Sequence, residues 1–204
     1  MVLGINDFVI RKGHTYNTGL HDLRGGAFLD VIPGRTIEEL RMYYANHPNW
    51  KLLQPVAVVM DLARNYHRFI QEVYPSAIRI ADRFHVNRYV TEALQNVRKQ
   101  VQSTLSSFAK HDIKHYHRLL GKRHDQLTAE EQTIVNRLFC YATVLKKVYE
   151  WKEAFIEWYE CSPFYEQAKR RFQIWVKYGK TIKSKRCTVD ITLHVIRSAT
   201  NSAF

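Results

Sequence analysis

The chain has 204 residues, enough for one domain with a sizeable core, and its 46% hydrophobic and 13% aromatic content excludes a disordered polymer. Thirty-one Lys and Arg against 19 Asp and Glu leave a formal charge of +12, with ten His able to add more below neutrality. Polyanions are therefore the natural partners, nucleic acid first among them, the plainer reading being a basic surface without a specific ligand. No apolar run reaches the ~18 residues of a membrane span, and Met1 to Asp7 lack the basic flank and long apolar stretch of a signal peptide, so a cytoplasmic protein without membrane contact is expected. Cys140, Cys161 and Cys187 fit neither a zinc pair nor an even disulfide framework and read as reduced, structural thiols.

In chain order, Val2 to Arg11, His14 to Leu23 and Ala27 to Ile32 read as three strands joined by the Lys12-Gly13 and Gly25-Gly26 turns and stopped by Pro33-Gly34, an antiparallel meander. Thr36 with Glu39 three residues on is a capping box, opening a helix that ends at His47-Pro48. Val56 to Met60 is continuously apolar, as in a strand buried on both faces, and Asp61 stands at its C-terminal end. A helix over about 64–74 follows, with Tyr66, Phe69, Ile70 and Val73 at helical spacing. Pro75 ends it, and Ala77 to Ala81 forms a further strand ending at Asp82.

Beyond Phe84 the pattern is helical. Val86, Tyr89, Val90, Ala93, Leu94, Val97 and Val101 predict one amphipathic helix running to about Phe108. Thr128 with Glu131 forms a second capping box, and Ile134, Leu138, Tyr141, Leu145, Val148, Trp151, Phe155 and Trp158 predict one long helix with an apolar seam. That seam either packs against other helices or pairs copies of the chain into a homo-oligomer. The segment 166–186 carries Lys169, Arg170, Arg171, Lys177, Lys180, Lys183, Lys185 and Arg186 interleaved with Phe172, Trp175 and Tyr178. Its aromatics either stack on bases beside a bound phosphate backbone or form a buried helical stripe under a solvated face. From Cys187 onward, Val189, Ile191, Leu193 and Val195 alternate like a strand.

Asp61 and Asp82 both stand where an apolar strand gives way to a loop, a place where mixed sheets display metal and ligand groups. Capping or turn roles are the alternative. Asn6 and Asp7 on the first strand can approach Asp61 if the two strands are neighbours, but alternation lets only one of them face the same site. His111, His115 and His117 lack the glutamate of a zinc-protease motif and read as surface or phosphate-facing histidines. A nucleotide-binding glycine loop is missing as well.

Gly4-Ile5-Asn6-Asp7-Phe8 followed by Arg11-Lys12, Asp61 with Tyr66 five residues on, and Tyr74-Pro75-Ser76-Ala77 leading to Ala81-Asp82-Arg83-Phe84-His85-Val86 together resemble the ISL-three family of insertion-sequence transposases. The likeness runs from about residue 2 to about residue 183. It implies a DDE recombinase with an α/β fold: a ribonuclease-H-like mixed sheet over 1–86, three antiparallel strands then parallel ones, followed by a mainly helical insertion over 87–183 and an atypical tail over 184–204. It also implies a bacterial, cytoplasmic enzyme that cuts DNA at the element's ends and transfers strands with two Mg2+ (or Mn2+) ions, for which paired hard cations held by carboxylates are suited.

Carried over by position, Asp61 matches the second catalytic acid and metal ligand, and Asp82 with His85 an accessory pair that either contacts the site or fixes the following helix. Lys169, Arg170, Arg171, Lys177, Lys180 and Lys183 are the DNA-binding candidates from the basic segment. The first acid position is Asn6, whose neutral carbonyl replaces a bridging carboxylate, with Asp7 the second choice. The segment bearing the third acid is not found, nor are the zinc-binding and helix-turn-helix regions of a full-length member. The expectation is a truncated transposase fragment that is catalytically incomplete, or a non-catalytic DNA-binding or self-associating remnant.

Overall fold

Leu3, Ile5, Leu20 and Ile32 are each at most 1% exposed, and this burial of one sheet face is what pairs the first three segments as strands. In the computed structural model, which describes residues 1–9, 16–162, 164–184 and 187–188, they are β1 (Val2–Phe8), β2 (Asn17–Asp22) and β3 (Ala27–Pro33). Two further strands, β4 (Ala57–Met60) and β5 (Ile78–Ala81), complete a five-stranded sheet in the order β3-β2-β1-β4-β5. The β1–β2 and β2–β3 pairs are antiparallel, while β1–β4 and β4–β5 are parallel. This is the expected α/β, ribonuclease-H-like mixed sheet: a hairpin meander extended by strand-helix-strand crossover, which parallel neighbours require. Lys12 and Gly13, expected to turn the chain after β1, lie outside the described residues.

Two helices cover the apolar face. In α1 (Ile37–Asn46) the Thr36 hydroxyl accepts from the Glu39 amide while the Glu39 carboxylate accepts from the Thr36 amide, the reciprocal cap expected from the sequence. Gly34, with φ of 97°, sits against that carboxylate where any Cβ would collide. α2 (Arg64–Val73) contributes Tyr66, Phe69 and Ile70, which join Leu40, Trp50, Tyr74 and the inward residues of β1 to β4 in one core. Each such fully buried side chain contributes roughly 1.5–3 kcal/mol.

The described residues divide into two compact units, one over Met1–Val86 and one that begins at Asn87. The described part of the second unit is mainly helical. α3 (Arg83–Thr104) stops short of Phe108, because Ser103 and Thr104 turn their hydroxyls back onto the Gln100 and Val101 carbonyls and Ser106 caps a new helix, α4 (Ser107–Tyr116). The long helix expected after Thr128 is also two, α5 (Ala129–Tyr141) and α6 (Thr143–Glu160), parted at Ala142, whose φ of −159° and ψ of 113° are extended. The break lets Phe139 and Tyr149 meet with ring centroids 5.3 Å apart. An unbroken helix would separate those two positions by about 15 Å. The last helix is α7 (Tyr165–Thr181), followed by a short antiparallel pair, β6 (Lys183–Ser184) and β7 (Cys187–Thr188). The alternating residues Val189, Ile191, Leu193 and Val195 lie outside the described residues, as do Lys185 and Arg186. Among the described residues, no helix is long and apolar enough to cross a membrane.

Candidate active site and basic helix

The parallel register of β1 and β4 pairs Leu3 with Val58 and Ile5 with Met60, so the next residues along, Asn6 within β1 and Asp61 just past β4, continue that register side by side. Neighbouring strands are about 4.8 Å apart, so the juxtaposition on which a shared site depends is present. Asp82 joins them at the end of β5, its amide donating to the Met60 carbonyl at 2.7 Å.

The side chains at these strand ends differ in what they are free to do. Asn6 is exposed. Asp7, on the face of the buried Leu3 and Ile5, accepts from the Arg35 guanidinium at 3.0 Å. Asp61 Oδ1 accepts from the Leu62 amide at 2.5 Å and lies 3.1 Å from His85 Nδ1. That ring nitrogen is buried and makes no aligned hydrogen bond, so the contact is one of proximity. His85 Nε2 is 3.8 Å from Asp82 Oδ2, and the other Asp82 oxygen accepts from the Phe84 amide at 3.0 Å in the first turn of α3. His85 thus bridges the two strand-end acids from that turn.

Behind the acids lies Tyr66, 2% exposed, whose hydroxyl is 3.0 Å from the Thr18 hydroxyl. Burial pushes the Tyr66 hydroxyl up to about 12; the Thr18 hydrogen bond acts the other way, and the charges of Asp7 and Asp61 add to the rise. Both acids therefore reach the same tyrosine electrostatically. Sequence reasoning missed Arg35 and Thr18, since nothing in the spacing of Arg35 from Asp7, 28 positions apart, signals that pair.

These donors do not fit a pair of magnesium ions. Asp7 is engaged by a guanidinium, Asn6 offers only a neutral amide, and the carboxylates of Asp61 and Asp82 lie on either side of the His85 imidazole. Among the described residues, no group of three or more His, Cys, Asp or Glu side chains is arranged to hold a metal.

The basic segment resolves differently. Phe172 and Trp175 are buried at 3% and 5% exposure. Trp175 stacks on Trp151 of α6 with centroids 4.2 Å apart and planes 17° from parallel, and Phe172 meets Trp158 at 4.9 Å. The seam of α6 and the aromatic stripe of α7 are thus one buried interface, and neither of these two α7 rings is available to stack on bases. Tyr178 alone of the three is exposed. Arg170, Lys177 and Lys180 are exposed and Lys169 and Arg171 half-buried. Arg171 donates to the Cys161 carbonyl at 2.9 Å and lies 3.6 Å from Glu157. The side chain of Lys183 lies outside the described residues.

A family model described as transposase, of the DDE type and the ISL-three group, matches residues 3–197. The chain belongs to this transposase family. The match continues past Lys183, where the sequence reading ends the likeness. A curated relative, the transposase for insertion sequence element IS1001 of Bordetella parapertussis, is 29% identical over 150 residues, covering 72% of this chain and 37% of the relative. The chain thus spans little more than a third of that relative's length. No solved structure matches.

Proposed function

We propose that this transposase-family chain binds DNA at the ends of an insertion sequence and that its acidic site is catalytically incomplete as it stands. The carrying observation is Asn6 level with Asp61 on paired strands: where the family places a carboxylate to bridge two dications, the chain offers an uncharged amide. The acid that follows it in the chain, Asp7, is held by Arg35. An amide oxygen keeps the shape of a ligand and loses the charge that holds hard cations. The exposed basic side chains of α7, Arg170, Lys177 and Lys180, supply phosphate contacts that survive the loss of chemistry. The helical unit is read as an insertion into the nuclease core, and a catalytically intact member would use Mg2+ or Mn2+ at the Asp61 end of the sheet.

The test is nicking of supercoiled plasmid carrying the DNA that flanks the coding sequence, in Mg2+ or Mn2+. The expected result is no cutting by the wild type, and equal silence from Asp61→Ala. Metal-dependent cutting by the wild type that Asp61→Ala abolishes would overturn the proposal. Asn6→Asp should raise divalent-ion affinity at the strand ends, seen as metal-induced thermal stabilisation absent from the wild type.

A further inference from the structure

In the second unit, an open cleft of about 410 Å³ is lined by His111, Lys114, His115, His117 and Arg118. Positions 111, 114, 115 and 118 recur at three and four residues, so α4 and the turn after it present them on one face. All four are exposed. The His111 and His115 rings lie nearly parallel with centroids 6.2 Å apart, and His117 Nδ1 is 2.8 Å from the Lys114 carbonyl, which fixes that turn.

Every lining group is a cation or can become one, and no carboxylate lines the cleft. The neighbouring cations contrast with them. Arg137 is spent on Asp112 through two 2.9 Å hydrogen bonds, Arg123 on Asp125 and Glu160, and Lys122 on Glu131. Among the described residues none of the five lining side chains has an ion-pair partner. A favourable helix dipole accounts for basic residues in the last turn of α4 but not for His111 one turn earlier or Arg118 beyond the end. A metal site is disfavoured because no three metal-binding side chains converge among the described residues. What remains is a concave, carboxylate-free surface rich in hydrogen-bond donors, the chemistry that takes phosphate.

We infer that this cleft is a second DNA contact, separate from the basic face of α7, that holds phosphates of the duplex backbone through Lys114 and Arg118 and tightens when His111 and His115 are protonated. The inference rests on the DNA-binding reading above. The other charged or titratable groups near the histidines are Asp112, whose carboxylate is held by Arg137 and the Tyr141 hydroxyl, and Tyr116, whose ring meets His115 at 4.5 Å. None of them gains negative charge as pH falls from neutrality, so protonation makes the cleft only more positive.

The experiment is fluorescence-anisotropy binding of a labelled duplex by the full chain, titrated with salt at about pH 6 and about pH 8. Wild type should bind several-fold more tightly at the lower pH. Lys114→Ala with Arg118→Ala should make the slope of log affinity against log salt shallower by about 2 at both pH values. His111→Gln with His115→Gln should remove the pH dependence and leave binding near pH 8 unchanged. In a parallel arm, inorganic pyrophosphate should shift the NMR signals of the His111 and His115 rings, and duplex should compete with it. Cleft variants that bind duplex like wild type, while Arg170→Ala with Lys177→Ala weakens binding, would overturn the cleft and leave the DNA-binding reading standing. Pyrophosphate binding that duplex does not displace would overturn the DNA assignment in favour of a free-phosphate site, and no duplex binding by wild type would overturn both readings.

Discussion

Asp112 shows how a single side chain is fixed by its partners. It is buried, accepts two hydrogen bonds from Arg137 and one from the Tyr141 hydroxyl, and is held below the ordinary carboxylate range, first by the Arg137 hydrogen bonds, against the opposing cost of burial. A depressed carboxyl stabilises the fold above its unfolded value of about 3.9 and loses that contribution as pH falls through the lower folded value. Asp112→Asn should therefore lower the melting temperature at neutral pH and converge on the wild type in acid, as a pH series of thermal melts would show. At the strand ends the same scale separates two adjacent residues. Asn6 and Asp7 are one position apart, yet only Asp7 meets Arg35. Arg35→Ala should free that carboxylate yet leave the strand-end metal affinity of the Asn6→Asp protein little changed in metal-shift melts, because Asp7 faces the other side of β1.

Helix ends and helix contacts decide the next scale. Thr36 and Thr128 each close a capping box, at the starts of α1 and α5. Replacing either with Ala should cost about 1 kcal/mol, measured by denaturant unfolding. The contact of α6 with α7 rests on the Trp151–Trp175 stack, with each indole N–H donating to the other residue's carbonyl, at 3.3 Å and 2.8 Å. Gly179 permits this approach, since a Cβ there would lie 2.6 Å from Trp151 Nε1. Gly179→Ala should displace the stack at a cost of roughly 1–3 kcal/mol, visible as altered near-ultraviolet circular dichroism and a lowered denaturant midpoint. A retained stack with unchanged stability would show that the indole shifts freely.

Across the whole molecule, the formal charge of +12 governs association more than folding. Duplex affinity should fall steeply with salt, by about 0.9 in the log–log slope for each phosphate neutralised, and salt-insensitive binding would point to a non-electrostatic partner. The sequence by itself determined the order of strands and helices in the first unit and both capping boxes. It also marked Asp61 and Asp82 as strand-end acids, because those follow from local alternation, helical spacing and turn residues that act within a few positions. Tertiary structure alone decided that Asn6 stands beside Asp61, that Arg35 takes Asp7, that the chain breaks at Ala142, and that Phe172 and Trp175 face α6. Each of these depends on which distant segment fills the space around a side chain, a choice set by packing and desolvation rather than by neighbours along the chain.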